Sequence, residues 1–192
     1  MASGGPLEIT WERVAREAVY AGHVVSVYRD TVRTAREGAA REAVYDLVEH
    51  PGATAVVPLF DDGTVALVHQ FRYPVAGVIW EIPAGSLTPG ESFAACGVRE
   101  LAEEVGLAAG HWTPLATVYT TPGFSNEELG IFLAEELTAC PATRDADEHL
   151  AVERVPFGVA LARVAEGTIR DAKTLIGLFA ARDHLARAGR LP

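Results

Sequence analysis

Short apolar runs with period-two alternation recur along this chain, most of them bounded by glycine, proline or aspartate, and they predict strands. Residues 18–21, 24–28 and 44–48, with Gly22 near a bend, read as an antiparallel arm. Residues 53–60 and 64–72 follow, separated by Asp61-Asp62-Gly63, a hairpin signal. Strands are also expected over 78–82, 112–120, 129–135 and 150–155.

Helical spacing is rarer. Over residues 91–105, Ala94, Val98, Leu101 and Val105 fall on one face at period 3.6, and Glu100, Glu103 and Glu104 fall on another. Gly106 stands where a helix C-cap is expected. A short helix should follow Pro156 and stop at Gly167, and a last one should start at Asp171 as its cap and run to Gly189. No internal repeat or linker divides the chain. The expectation is one fold unit of α/β class, with a strand arm over 1–50 and a body over 51–192.

Composition narrows the function. At 192 residues the chain can bury a full core. No apolar run approaches the roughly 20 residues needed to span a bilayer, and the start has no signal-peptide pattern, so a cytoplasmic location is expected. Cys96 and Cys140 lack metal-site spacing and read as reduced thiols. A net charge of −10 argues against nucleic acid or an anionic membrane as partner. A phosphate ligand would need a cation to mediate.

That condition bears on the three glutamates. Like charges three and four residues apart on a helix repel, so the cluster is either a solvated acidic face or a site for a hard divalent cation, which takes oxygen ligands. Gly85, Pro89 and Gly90 form a loop that brings backbone groups close to this turn, and Arg99 can pair with Glu91 and hold the segment.

The stretch "GSLTPGESFAACGVRELAEEVGL" resembles the Nudix box: Gly85, five residues, Glu91, seven residues, Arg99-Glu100, Leu101, one residue, Glu103-Glu104, one residue, Gly106 and Leu107. The resemblance implies a Nudix α/β/α sandwich with a mixed sheet, to which the N-terminal antiparallel strands are added. It implies hydrolysis of a nucleoside diphosphate derivative, with Mg2+ or Mn2+ held by Glu100, Glu103, Glu104 and the Ala84 carbonyl, and with Arg99 among the catalytic residues.

Four segments outside the box resemble the ADP-ribose pyrophosphatase branch: "HQFRYP", "WEIPAG", "TTPGFSNE" and "GTIRDAKTLIGL". They imply substrate contacts at Arg72, Thr121, Gly123 and Glu127, and ADP-ribose as substrate, split to AMP and ribose 5-phosphate. Another nucleoside diphosphate derivative, or a module that binds ADP-ribose without cleaving it, is the alternative. Relatives in the branch are homodimers that exchange N-terminal strands, and the same is expected here. The resemblance also points to Glu148, ahead of Leu150, as general base, with Glu153 or Glu103 as alternatives.

Overall fold

A computed structural model describes residues 8–36, 39–141 and 150–191. The chain divides into two compact units, one formed by Met1–Pro51 with Tyr119–Glu127 and the other by Gly52–Val118 with Glu128–Pro192.

The first unit is built on an antiparallel meander of β1 (Thr10–Ala21), β2 (Ser26–Arg36) and β3 (Ala39–Glu49), in the order β1-β2-β3. The strands run well beyond the apolar runs that predict them, because cross-strand ion pairs extend the ladder where apolar pairing stops. Arg16 donates to both carboxylate oxygens of Asp30 at 2.8 and 2.7 Å, and Arg33 bridges Glu12 and Glu42. Trp11, Tyr20 and Val44 are each more than half exposed.

The second unit contains two sheets. One is mixed, with order β7-β4-β9-β8, from β4 (Ala53–Pro58), β7 (Ala84–Ser86), β8 (Leu107–Tyr119) and β9 (Glu128–Ala139). In it β4 runs parallel to β9 and antiparallel to β7. The other is antiparallel, with order β10-β5-β6, from β5 (Thr64–Arg72), β6 (Gly77–Glu81) and β10 (Leu150–Pro156).

β4 is buried at every position, so both of its faces are covered. Two helices do this from opposite sides. On α1 (Phe93–Glu100), a Cβ at Gly97 would lie 3.0 Å from Thr54 and 3.4 Å from Val56; on α3 (Ala172–Arg187), one at Gly177 would lie 2.8 Å from Ile82 and 3.1 Å from Val57. Since side chains alternate along a strand, Val56 and Val57 face opposite ways, and the helices sandwich the sheet. The larger core cluster joins Val57, Ile131 and Leu133 to Phe157 of α2 (Phe157–Ala165) and to Leu178 and Leu185 of α3.

The hairpin expected from Asp61-Asp62-Gly63 is not formed as a two-strand ladder. The turn is there, with Phe60 N–H donating to Thr64 O at 2.8 Å and a single bridge between Leu59 and Val65. Beyond it the strands part into different sheets, because β7 and β9 already occupy both edges of β4.

Candidate active site

Ser92 caps α1 by accepting from Ala95 N–H at 3.2 Å, so the helix starts at Phe93 and Glu91 stays in the preceding loop. From Leu101 to Val105 the helix widens into a π turn, an irregularity frequent at functional sites, before Gly106 closes it in the left-handed conformation.

The buried side differs from the apolar stripe expected from the sequence. Ala94 and Val98 are exposed, and the covered positions are Cys96, Gly97, Glu100, Leu101 and Glu104. Glu100 is 7% exposed and Glu104 2%, which removes the solvated-face reading for both. Burying a carboxylate costs free energy unless it is partnered, so these two positions need compensation from their surroundings.

Part of it comes from Arg99. Its guanidinium donates to Glu91 from Nε and Nη2, each at 3.0 Å, and from Nη1 to Glu100 at 2.5 Å and Glu103 at 3.0 Å. Nη2 also reaches Ser86 O at 3.0 Å. One cation therefore ties β7, the loop and the helix together, and Arg99 holds the Glu91 carboxyl down to about 2, with help from Thr88 N–H. Glu104 instead accepts from Ala84 N–H at 3.1 Å. Glu100 lies against Gly85 so closely that a Cβ there would be 1.8 Å from its Oε1.

The donor set here is oxygen only: two buried carboxylates, Glu100 and Glu104, stand at the Ala84–Gly85 backbone, with Glu91 and Glu103 beside them. That chemistry suits a hard divalent cation. As they stand, Arg99 gathers three of them and Ala84 N–H engages the fourth. Among the described residues no three His, Cys, Asp or Glu side chains are grouped to hold a metal ion.

Arg72 ends β5 with its guanidinium forked onto Glu81 at 2.8 and 2.8 Å. Glu81 is 1% exposed, and Lys173 of α3 also bonds its Oε2. Burial pushes the Glu81 carboxyl up, but Arg72 and Lys173 outweigh it and hold the group below its ordinary value. Arg72 is in turn raised, mainly by Glu81, with Glu104 and Asp171 adding to its field.

Sequence reasoning missed Glu81 and Lys173, although both lie inside motifs it singled out. Asp171 caps α3 as expected, accepting from Thr174 N–H at 3.0 Å, while Thr174 Oγ1 accepts from Ile82 N–H at 2.9 Å. The C-terminal signature thus grips the "WEIPAG" segment at Glu81 and Ile82.

Thr121, Gly123 and Glu127 lie in the first unit. Glu127 accepts from Thr120 Oγ1 at 2.5 Å and stands 3.7 Å from His50 Nδ1. Thr121 O accepts from Phe124 and Ser125 N–H, and Val48 N–H and His50 N–H hold the loop through Phe124 O and Asn126 Oδ1. Gly123 is open, and a Cβ there would meet nothing within 4 Å. Among the aromatic residues, Trp80 stacks on His69 at 4.1 Å and Trp112 meets Phe132 edge-on, whereas Tyr119 and Phe124 are exposed.

Glu148, with Asp145 and Asp147, lies outside the described residues. Glu153 is engaged by Arg163 at 3.0 Å. It pairs in register with Leu67, so it sits on the face of the β10-β5-β6 sheet opposite to Arg72.

Residues 49–175 match the NUDIX domain. The chain is 39% identical over 163 residues to the ADP-ribose pyrophosphatase of Bacillus subtilis (strain 168), covering 84% of this chain and 86% of that protein. It is 34% identical over 176 residues to the ADP-ribose pyrophosphatase of Mycobacterium tuberculosis (strain ATCC 25618 / H37Rv), covering 90% and 84%. A crystal structure of an ADP compounds hydrolase superposes with a TM-score of 0.82 over 97% of this chain and 100% of that one, at 23% identity, and shares the fold.

Proposed function

The chain belongs to the Nudix family, and from that premise we propose that it hydrolyses ADP-ribose to AMP and ribose 5-phosphate with Mg2+ or Mn2+. One observation carries the reading: Glu100 and Glu104 are buried at the Ala84–Gly85 backbone, in a chain whose Bacillus subtilis and Mycobacterium tuberculosis relatives are ADP-ribose pyrophosphatases across more than four-fifths of each.

Glu100, Glu103, Glu104 and the Ala84 carbonyl would hold the cation. When bound, it supplies positive charge that offsets carboxylate repulsion and polarises the diphosphate. Arg99 organises the box from within, and its forked contacts keep Glu91, Glu100 and Glu103 within reach of one another. Arg72 binds the anionic substrate, kept in one orientation by the buried Glu81. Thr121, Gly123 and Glu127 contribute further substrate contacts.

Water attacks one phosphorus and the bridging P–O bond breaks, leaving AMP and ribose 5-phosphate, while the proton of the attacking water passes to Glu148. Glu153 suits that role less, since Arg163 engages it on the other face of the sheet.

Product analysis with a panel of nucleoside diphosphate compounds tests this reading. Cleavage of ADP-ribose to the two monophosphates, abolished by excess chelator and strongly reduced in Glu104→Gln, is the expected result. Full activity in chelator, or products from every compound except ADP-ribose, would overturn it.

The exposed Trp11, Tyr20 and Val44 on the β1-β2-β3 sheet support a homodimer that covers them, and a cytoplasmic location is proposed with it. Among the described residues no helix is long and apolar enough to cross a membrane. Sedimentation as a monomer at micromolar concentration would refute the dimer.

A further inference from the structure

We infer that Gln70 is a substrate-binding residue whose side-chain oxygen accepts a hydrogen bond from a sugar hydroxyl of the bound nucleoside diphosphate. The inference rests on the function proposed above and adds a contact to that site.

Gln70 is 6% exposed, and among the described residues its Oε1 is the buried side-chain oxygen or nitrogen with no hydrogen-bond partner. Buried polar atoms are nearly always satisfied, and one left over calls for an explanation. An apolar residue of the same size would avoid the desolvation penalty that Oε1 carries at this position.

Its place in the sheet supplies the reason. Gln70 pairs with Ile79 on one side and Leu150 on the other, and Arg72 pairs with Gly77, with no register shift between them. Residues two apart on a strand point the same way, so Gln70 and Arg72 share a face at a spacing of about 7 Å. Glu81, opposite Val68, belongs to that face as well. The acceptor oxygens of Glu81 are already taken, Oε1 by Arg72 and Oε2 by Arg72 and Lys173. Arg72 can only donate.

This face therefore offers a forked cationic donor at Arg72 and, two residues away, a neutral acceptor at Gln70 Oε1. A phosphate cannot use that acceptor, since its oxygens also accept. A sugar hydroxyl can, and a nucleoside diphosphate carries hydroxyls beside its phosphates at comparable spacing. Neutrality matters too: a carboxylate in place of Gln70 would repel the diphosphate that Arg72 attracts.

The test replaces Gln70 with Met, which keeps length and removes the acceptor, and with Leu should the first variant fold poorly. Thermal unfolding is measured without substrate. Binding is titrated in Mg2+ with the α,β-methylene analogue of ADP-ribose, whose P–C–P bridge resists hydrolysis. The melting temperature should be unchanged or higher, and binding should weaken by about tenfold, the order expected when a buried hydrogen bond to a ligand is lost. With ADP-ribose analogues lacking one sugar hydroxyl at a time, kcat/KM of wild type and variant should converge for one of them and stay apart for the others.

Undiminished binding by Gln70→Met, alongside a wild type that does bind, overturns the Gln70 assignment alone. An equal gap for every deoxy analogue overturns the hydroxyl. A wild type that does not bind the methylene analogue overturns this inference together with the ADP-ribose reading.

Discussion

Replacing Gly85 with Ala tests the link between the backbone of β7 and the buried carboxylates. A Cβ at this position would lie 1.8 Å from Glu100 Oε1, 2.0 Å from Cδ and 2.5 Å from Oε2. Non-bonded contact is comfortable only near 3.5 Å, so the carboxylate has to retreat by about 1.5 Å. Glu100 is 7% exposed, which leaves it little space to retreat into. The displaced atoms are nonetheless the end of a side chain, and the backbone can stay where it is. The stability cost should therefore be small, about 1 kcal/mol, at the low end of what overpacking costs. The functional cost should be large, since misplacing a catalytic group by about 1 Å can cost on the order of 10²-fold in rate. The assay is kcat/KM for ADP-ribose over a Mg2+ titration, with thermal unfolding of the same samples. Gly158→Ala in α2 is the control, because a Cβ there meets nothing within 4 Å. A Gly85→Ala enzyme within about threefold of wild-type kcat/KM would refute the placement of Glu100 in the active site.

Glu81→Gln should destabilise the protein by about 2–3 kcal/mol in urea unfolding, somewhat less than the usual cost of breaking a buried ion pair because the Arg72 side chain is 38% exposed. The same change should raise KM for ADP-ribose more than it lowers kcat, and an unchanged KM would separate Arg72 from the substrate. The Glu91 carboxyl titrates at about 2 in the folded protein, below its ordinary value of 4.5, so its contribution to stability is complete above pH 4.5 and is lost as pH falls toward 2. Glu91→Gln should flatten acid unfolding in that window, and a profile parallel to wild type would count against the Arg99 pairing. Glu148→Gln should lower kcat by about 10²–10⁴-fold with KM nearly unchanged, and a loss below about threefold would move the proton acceptor elsewhere, with Glu103 the next candidate.

Local chemistry was readable in one dimension because it depends on neighbours in sequence. The fixed spacing from Gly85 to Leu107 marked the family, and the C-cap at Gly106 and the N-cap at Asp171 each need only residues within a turn. Strand positions in the second unit followed from period two for the same reason, except for the three-residue β7, which is too short to carry a pattern. Three features needed the tertiary structure. Hydrophobic periodicity assumes that apolar groups are buried, so it placed Ala94 and Val98 inside, whereas the fold buries Glu100 and Glu104 and offsets part of the cost with Arg99 and Ala84 N–H. The turn at Asp61-Asp62-Gly63 fixed a reversal, but β7 and β9, distant in sequence, had already taken the edges of β4 and sent β5 to another sheet. The grip on Arg72 joins Glu81 to Lys173 across 92 residues, and no local rule relates charges that far apart until α3 packs down and brings them together.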